Sequence, residues 1–458
     1  MNPPVSSRRH VLPSIGSVLI LLIAIAIAIA IAVAVWLRAA PLRADFAFGD
    51  GGLFWVMANG LRENGLLPPS TVYYNGEAIP WVYPPFGLYL VALLGGDLDL
   101  FRVLPALFAI ATVPAMWMLA RSLVGERAAL VALIAYGLSL PAYFGLIAGG
   151  GVTRAPGLLF ALLTMWAVVS GRVAAAGVLG GATLLTHPIA ALYGLLSCSV
   201  LWATRGAPRR MLVAVPVSLA VAGIWFGPMI ARHGIDPFLG GGASRDFDLI
   251  HNFVVLLASI LNPPNLAFTI GLVGLAVAVV RRRWDLLAWV AVTFLGVAVL
   301  DRWLVIPFAI LAGSAVEWAL DHPARRSSVA LLAIAAVTAV TGVVLAGPND
   351  TLDSEERAIM EWARSETDPG ATFAVIGYSA DLGMVEWFPA LAQRENFTTW
   401  QGTEWIPGGL RVREANAAAG CQTVACLPVA DFYVLRPDCC PELESTLKEV
   451  RPQVFTTP

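Results

Sequence analysis

Charged residues are scarce in this chain. Of its 458 residues, 13% are Asp, Glu, Lys or Arg, whereas 58% are hydrophobic, and the mean hydropathy is +0.74. Soluble globular proteins are usually about 25% charged, so the composition excludes a soluble protein and indicates an integral membrane protein. The short alternating segments of a transmembrane β-barrel are lacking too, because the apolar runs have helical length. The net charge of −2 gives no general attraction to nucleic acid.

Cysteine is also scarce and unevenly distributed. Cys198 lies alone in an apolar run, and the other four, Cys421, Cys426, Cys439 and Cys440, lie near the C-terminus. Four cysteines in a small polar region are expected to form disulfides if that region lies outside the cytoplasm. Three pairings are possible, and a bond between the adjacent Cys439 and Cys440 is the least favourable sterically. The alternative is a zinc site, for which the adjacent pair gives a poor tetrahedral spacing.

Long apolar runs predict an all-α polytopic membrane protein with about 11 transmembrane helices. A basic N-terminus precedes a first run that is too long for a signal peptide, so we expect an uncleaved anchor with a cytoplasmic N-terminus. This topology concentrates arginines in the inner loops, as the positive-inside rule requires, and places the C-terminus outside. The predicted spans are 11–37, 104–120, 130–147, 155–169, 173–185, 189–203, 211–230, 266–280, 286–300, 304–320 and 328–345.

The first outer loop, 38–103, is expected to hold two short helices. Apolar spacing in GGLFWVMANGLREN, residues 51–64, predicts a short amphipathic helix that lies in the interface. The apolar segment 86–94 is too short to span a bilayer, so we interpret it as a juxtamembrane or re-entrant helix on the outer face. A second outer loop, 232–265, contains three consecutive glycines and is expected to be mobile.

From residue 347 the composition becomes polar again. The segment 358–365 predicts a helix, and TFAVIGY and DFYVLRP predict short strands. We therefore expect two domains, a transmembrane domain of residues 1–346 and a small extracytoplasmic α/β domain of residues 347–458 that carries the disulfides.

Acidic, basic and histidine side chains recur at the outer ends of the predicted spans. Charged side chains at a membrane surface are poorly suited to lipid contact, so their accumulation on one face indicates a site. Arginine binds phosphate bidentately, and a carboxylate can take a proton from an attacking hydroxyl. We expect Asp50 to be catalytic and the others to bind substrate: Asp45, Arg102, Arg154, His187 and Arg302.

The two acids also have structural interpretations. Asp50 stands between Gly49 and Gly51 and could simply form a turn, while Asp45 could pair with Arg43.

The basic residues have structural interpretations as well. Arg102 and Arg302 could snorkel at helix ends, and His187 before a proline could cap a helix. Arg154 closely follows three glycines, which allow a close backbone approach and favour contact with a ligand.

The C-terminal region interleaves aromatic and polar residues. Exposed aromatic rings with polar neighbours suit stacking on sugar faces, which makes four residues candidates for sugar or acceptor contact: Trp387, Arg394, Trp400 and Trp405. The alternative is that they form the core of a small domain that packs onto the membrane part.

The order of these features resembles the GT-C superfamily of membrane glycosyltransferases, which includes protein O-mannosyltransferases and bacterial transferases that use polyprenyl-phosphate sugars. The segments that carry the resemblance are FGDGG with Asp50, the motif Tyr83-Pro84-Pro85-Phe86, and FRVLPALFA with Arg102. GGGVTRAPGLLFALL and THPIAAL look like an uncharacterised prokaryotic subgroup. The resemblance covers about residues 10–320.

The resemblance implies an inverting transfer of a sugar from a polyprenyl-phosphate donor outside the membrane. Asp50 would then be the base, or would help to bind a metal. Many members have two adjacent acids at this place, whereas here Asp45 stands five residues away, which argues against a shared metal site. No metal ligands are assigned, and a divalent metal is the one cofactor left open. The acceptor, a glycan, a lipid or a protein, is not implied by the resemblance.

We therefore expect a multi-pass glycosyltransferase of the plasma membrane, transferring a hexose or a pentose, with membrane lipids and no nucleic acid among its partners. A transporter or lipid flippase is one alternative, but it would need charges near mid-membrane and paired repeats with broken helices, which the sequence does not show. A catalytically silent scaffold is the other, and it predicts that Asp50 and Arg154 lie far apart.

Overall fold

The computed structural model describes residues 15–206, 208–243, 249–261, 265–297, 300–321, 351–378, 382–406, 408 and 411–457. The described chain is mostly helical, with several apolar helices and a small C-terminal sheet. The predicted eleventh span, 328–345, lies outside the described residues.

Before residue 322 the described chain forms fourteen α-helices, and a β-hairpin lies between the second and the third. The helices are α1 (Ile15–Arg38), α2 (Gly52–Glu63), α3 (Phe86–Leu93), α4 (Leu100–Val124), α5 (Glu126–Leu138), α6 (Gly151–Val169), α7 (Val173–Leu184), α8 (Pro188–Thr204), α9 (Ala214–His233), α10 (Asp236–Ala243), α11 (Leu249–Leu261), α12 (Leu266–Val280), α13 (Trp284–Gly296) and α14 (Leu300–Asp321).

Several of these helices are membrane spans by length and composition. Four in the described ranges qualify: Leu100–Val124, Gly151–Val169, Arg209–His233 and Asp301–Asp321; the bent pair α11 and α12 would add a fifth. Further apolar helices are shorter, such as the 12 residues of α7, which rise about 18 Å against a hydrocarbon core of about 30 Å. The protein is thus a multi-pass membrane protein, and the number of about 11 spans stays a prediction.

One predicted span differs clearly from the structure. Instead of a helix over 130–147, α5 begins at Glu126 and ends at Leu138, and a 3₁₀ turn follows at Leu140–Ala142. Pro141 has no backbone N–H to continue the helix, and the hydroxyl of Ser139 accepts the backbone N–H of Ala267. The chain after this helix is therefore a loop, which allows residues 143–150 to reach the site described below.

The glycine-rich outer loop is also more regular than its sequence indicates. The glycine run 240–242 lies inside α10, and the apolar residues after it form α11. In contrast, α2 and α3 lie where the sequence predicts an interfacial and a juxtamembrane helix.

The C-terminal region forms a five-stranded mixed sheet in the order β4-β3-β5-β7-β6, beside a β1-β2 hairpin in the first loop. As predicted, TFAVI and FYVL are strands, and they pair in parallel. The strands are β1 (Thr71–Tyr74), β2 (Glu77–Pro80), β3 (Thr372–Ile376), β4 (Glu395–Asn396), β5 (Phe432–Leu435), β6 (Lys448–Arg451) and β7 (Val454–Thr456). The helices are α15 (Ser354–Glu366), α16 (Leu382–Ala392), α17 (Val412–Ala419) and α18 (Pro441–Thr446).

The four C-terminal cysteines form disulfides between Cys421 and Cys426 and between Cys439 and Cys440. The expectation that the adjacent pair is the least favourable was wrong for this chain. Cys421 and Cys426 are 5.6 Å apart at Cα, inside the usual range for a disulfide, and their bond leaves the adjacent cysteines to each other. The zinc alternative is not supported, because these thiols are bonded.

The first outer loop and the C-terminal region share one hydrophobic core. Leu53 and Met57 of α2 belong to the same buried cluster as Met384, Trp387 and Phe388 of α16. Burial of these side chains packs α16 directly onto the helix that follows Asp50. The C-terminal region is therefore in contact with the segment that the sequence singles out.

Candidate active site

The segment FGDGG is held close to the start of α6. Backbone N–H groups of Gly149 and Gly150 donate to the carbonyls of Phe48 and Asp50, both at 2.7 Å. A Cβ on Gly150 would lie 2.7 Å from Asp50 Oδ2, so a side chain there would displace the carboxylate. The glycines after Ile147 are thus required for the contact between this segment and α6.

Asp50 and Arg154 form a bidentate ion pair. Arg154 Nη2 lies 2.6 Å from Asp50 Oδ1, and Nη1 lies 2.7 Å from Oδ2. Both side chains are largely buried, with 16% of Arg154 and 13% of Asp50 exposed. The two residues are 104 positions apart in the sequence. This contact contradicts the scaffold alternative, which predicted that they lie far apart.

The charge environment of Asp50 opposes its protonation. Burial by itself raises the pKa of this carboxyl, but the charge and hydrogen bonds of Arg154, the charge of Arg302 and the N–H of Gly150 together lower its pKa below the usual value. A Cβ on Gly145 would overlap the guanidinium of Arg302, and the carbonyl of Gly145 accepts Arg154 Nε–H at 2.8 Å. Two cations therefore converge beside one carboxylate.

A second acid from the C-terminal region lies near Asp50. Glu386 on α16 is 2% exposed, and its Oε2 has no hydrogen-bond partner among the described residues. Burial, together with the negative charges of Asp50 and Glu404, raises the pKa of Glu386 well above its usual value. The Tyr74 hydroxyl donates to the backbone carbonyl of Glu386 at 2.6 Å. Sequence analysis missed Glu386, because no local pattern shows that α16 packs on the first loop.

Two predicted binding residues are engaged elsewhere. Asp45 pairs with Arg357 at 2.6 Å rather than with Arg43. Arg102 pairs with Asp99 at 2.6 Å and donates to the carbonyl of Ala44. Both contacts fix the entry and exit of the first loop, so the structure does not bring these side chains into the Asp50–Arg154 pair.

His187 takes the role that its structural interpretation predicted. Its Nδ1 accepts the backbone N–H of Ala190 at 3.3 Å, which caps α8. The residue also lines a large cavity, whose lining includes none of Asp50, Arg154 and Arg302.

Two of the aromatic-region candidates are structural. Trp387 is fully buried and packs edge-on against Phe46 and Phe101, so it has no free face for a sugar. Arg394 is 7% exposed and donates to the carbonyls of Arg364 and Thr367. The burial and the contacts of these two side chains agree with the packing alternative.

The other two candidates are placed differently. Trp405 lines the cavity and packs against Tyr83, with ring centroids 5.3 Å apart. Trp400 is half-buried, and its contact with a sugar stays a prediction.

The cavity has a volume of about 820 Å³ and is mostly apolar. Its polar end is formed by His187, Glu404 and Tyr83, and its walls are formed by α7, α8 and α9 down to Trp202. The Tyr83 hydroxyl lies 3.2 Å from Thr153 Oγ1, next in sequence to Arg154. Tyr83 therefore connects the apolar cavity to the ion pair.

The carboxylates of this site do not fit a divalent metal. Both oxygens of Asp50 are engaged by Arg154, whose positive charge would repel a cation. Within the described ranges, no group of three or more His, Cys, Asp and Glu side chains is arranged to hold a metal ion. The acidic side chains of this site therefore give no support for a bound divalent metal.

Comparison with known proteins gives a fold. No family model and no curated protein sequence matches the chain. Among solved structures, the archaeal oligosaccharyltransferase AglB from Archaeoglobus fulgidus, solved with an inhibitory peptide and a dolichol-phosphate, has a TM-score of 0.60 at 13% identity; the match covers 89% of this chain and 68% of AglB.

A second similar structure matches over nearly its whole length. ArnT from Cupriavidus metallidurans, bound to undecaprenyl phosphate, has a TM-score of 0.55 at 17% identity, and the match covers 97% of this chain and 98% of ArnT. AglB and ArnT have the GT-C glycosyltransferase fold. The resemblance read from the sequence is thereby confirmed at the level of the fold: this chain has the fold of the GT-C glycosyltransferases.

Proposed function

We propose that the protein is an inverting glycosyltransferase that moves a sugar from a polyprenyl-phosphate donor to an acceptor hydroxyl at the outer membrane face. The observation that carries the proposal is the buried Asp50–Arg154 pair, with Arg302 beside it, next to a large apolar cavity. An anion-binding cluster next to an apolar cavity suits a lipid phosphate. AglB and ArnT were solved with such lipids.

In the proposed reaction, Asp50 takes the proton of the acceptor hydroxyl while that oxygen bonds to the anomeric carbon. The bond from this carbon to the phosphate oxygen breaks, and the electron pair leaves with the phosphate. Arg154 and Arg302 stabilise the negative charge on the leaving phosphate. Because the nucleophile attacks the face opposite the leaving group, the configuration inverts.

The ion pair explains how the base is activated. A carboxylate held by two guanidinium nitrogens is a weak base, because the pair stabilises its ionised form. A bound phosphate competes for Arg154 and Arg302 and loosens their hold on Asp50. Binding of the donor thereby makes the Asp50 carboxylate a stronger base.

The cavity is proposed to hold the first isoprene units of the donor. Its walls include Leu192, Leu195, Leu219 and Phe226, which suit a branched hydrocarbon. The α10 segment lies against Glu404 and Trp405, since a Cβ on Gly241 would be 2.7 Å from Trp405 Nε1. We propose that α10, Asp236–Ala243, covers this site.

The proposed topology has about 11 spans, a cytoplasmic N-terminus, a transmembrane domain of residues 1–346 and an extracytoplasmic domain of residues 347–458. Its support is the arginine bias of the sequence together with the two C-terminal disulfides, since disulfides persist in oxidising compartments.

The test is a transfer assay on the full chain in lipid nanodiscs. Undecaprenyl-phosphate-linked hexoses and pentoses serve as donors, and release of undecaprenyl phosphate is measured. Asp50→Asn should lower the rate about 10²–10⁴-fold, because the amide cannot accept the proton. Asp45→Asn, an exposed acid of the same loop, should retain the rate. Full activity of Asp50→Asn would refute the proposal. Transport of the lipid-linked sugar without release of undecaprenyl phosphate would refute it as well.

A further inference from the structure

The carbonyls of the Asp50 segment all accept a hydrogen bond. Three accept from backbone N–H groups of the membrane part, at 2.7 to 3.0 Å: Phe48 from Gly149, Asp50 from Gly150, and Gly51 from Trp55. The fourth, Gly49, accepts from the indole Nε1–H of Trp387 at 2.9 Å. That donor is a side chain of the C-terminal region, 338 positions away in the sequence.

The indole of Trp387 contacts both residues that flank Asp50. Its N–H binds the Gly49 carbonyl, and a Cβ on Gly51 would lie only 2.6 Å from a ring carbon. Phe46 and Phe101 hold the ring edge-on, with centroid distances of 5.0 and 5.7 Å. Packing therefore holds the indole ring in place, and the ring in turn restrains the backbone at Gly49 and Gly51.

This contact restrains the one peptide of the segment whose carbonyl has no backbone N–H as its donor. Gly49 has a φ of +54° and Gly51 a φ of +156°, and glycine adopts such values at little steric cost. A hydrogen bond in a buried environment is strong, and its loss leaves an unsatisfied carbonyl. Without the indole N–H, the Gly49 peptide can rotate and carry the Asp50 side chain with it.

We propose that Trp387 is a positioning residue for Asp50: its indole N–H fixes the Gly49 carbonyl and thereby holds the Asp50 carboxylate in its bidentate contact with Arg154. The proposal rests on the function proposed above, in which Asp50 is the base. It makes the C-terminal region a part of the active site, although Trp387 itself does not touch the substrate.

Trp387→Phe tests the proposal, because phenylalanine keeps an apolar ring and removes the N–H. We expect kcat to fall about tenfold with the donor KM changed less than about twofold, since misplacement of a catalytic group affects the transition state most. Trp362→Phe is the matched control, an indole of the same region that packs on Phe373 and Phe432. It should retain the wild-type kinetics.

The pH profile separates positioning from simple stabilisation. The groups that face Asp50 are Arg154, Arg302, Glu386 and Tyr74. If Trp387→Phe loosens the contact with Arg154, the pKa of Asp50 rises towards its usual value. The fall of kcat/KM on the acid side should then begin at higher pH, by about half a unit to one unit. If the substitution only reduces the amount of folded protein, kcat/KM falls by the same factor at every pH, and the pH at which it begins to fall does not change.

Trp387→His provides a rescue, because a histidine Nε2–H can occupy the position of the indole N–H. It is smaller and more polar, so it should destabilise the fold at least as much as phenylalanine, yet it should recover part of kcat. An unshifted pH profile in Trp387→Phe, or a histidine variant less active than the phenylalanine variant, would overturn the positioning role.

The two proposals fail in distinguishable ways. If Asp50→Asn is inactive and Trp387→Phe behaves as wild type, only the positioning role is wrong. If Asp50→Asn is fully active, the proposed base is wrong whatever Trp387 does.

Discussion

In the part of the chain that the structure describes, Asp50 and Asp285 are both largely buried acids that pair with arginine, and only Asp50 has the surroundings of a site. Asp285 accepts from Arg205 at 2.8 Å and from Arg283 at 2.9 Å, much as Asp50 accepts from Arg154. The buried fractions are also similar, because Asp285 is 10% and Asp50 is 13% exposed. An ion pair by itself therefore does not identify a catalytic centre.

The difference lies in what surrounds each acid. The arginines of Asp285 also donate to the carbonyl of Leu123, so this cluster connects the ends of α4, α8 and α13. Asp50 instead lies on a glycine-flanked loop, with the buried acid Glu386 and an apolar cavity nearby. We infer that the Asp285 cluster stabilises the fold, whereas the Asp50 cluster takes part in the proposed reaction.

The largest expected effect compares the two arginines. Arg154→Lys keeps the charge but loses the bidentate geometry that a phosphate or carboxylate requires, so kcat/KM should fall about 10²-fold. Arg205→Lys should leave kcat/KM within about twofold, since Arg283 still pairs with Asp285. Binding of undecaprenyl phosphate to each variant in nanodiscs gives a readout that is independent of the sugar. An equal loss of kcat/KM in Arg154→Lys and Arg205→Lys would contradict the distinction between the Asp50 and Asp285 clusters.

A smaller effect concerns stability. Asp285→Asn should lower the free energy of unfolding by about 1–2 kcal/mol, because two partly exposed arginines lose their partner. The transfer rate per folded molecule should stay unchanged. Thermal unfolding in detergent and the transfer assay measure the two quantities. A transfer rate as low as that of Asp50→Asn would make Asp285 part of the reaction.

The smallest expected effect depends on pH. The raised pKa of Glu386 means that the folded state holds a proton that the unfolded state releases. This carboxyl contributes most stability below its unfolded pKa of about 4.3, and the contribution is lost as the pH rises towards the folded pKa. Glu386→Gln should therefore unfold at a higher temperature than wild type at pH 7–8, with the difference vanishing near pH 4.

The matched control for this measurement is Glu361→Gln, an exposed residue of α15. Its unfolding temperature should follow wild type throughout this pH range. A Glu386→Gln variant less stable than wild type at pH 8 would show that the carboxyl is ionised and paired in the fold.

Much of the fold follows from the sequence because apolar length and turn residues act locally. The bounds of α2, α3, β3 and β5 agree with the pattern of apolar residues. The end of α5 depends on Pro141 and on the hydroxyl of Ser139, and a long apolar run conceals both. The pairing of Cys439 with Cys440 was not predictable from steric preference alone, since it depends on where Cys421 and Cys426 meet.

The site was predictable in part for the same reason. Asp50 stands between glycines, and Arg154 closely follows three glycines, a local signal that predicts a close approach. Glu386 and the N–H of Trp387 reach the site only because α16 packs on α2, and no local pattern specifies that packing. The aromatic content of this region suggested sugar stacking, whereas burial assigns Trp387 to the protein interior.

The hydrogen bond between Trp387 and Gly49 also sets an order of events during biosynthesis. The ribosome delivers Asp50 and Arg154 to the membrane long before the residues of α16 exist, so the nascent chain carries an incompletely restrained carboxylate. A region that is synthesised late therefore completes a segment that is synthesised early. Competence for the proposed reaction is thus acquired only after α16 has been made and has packed onto α2.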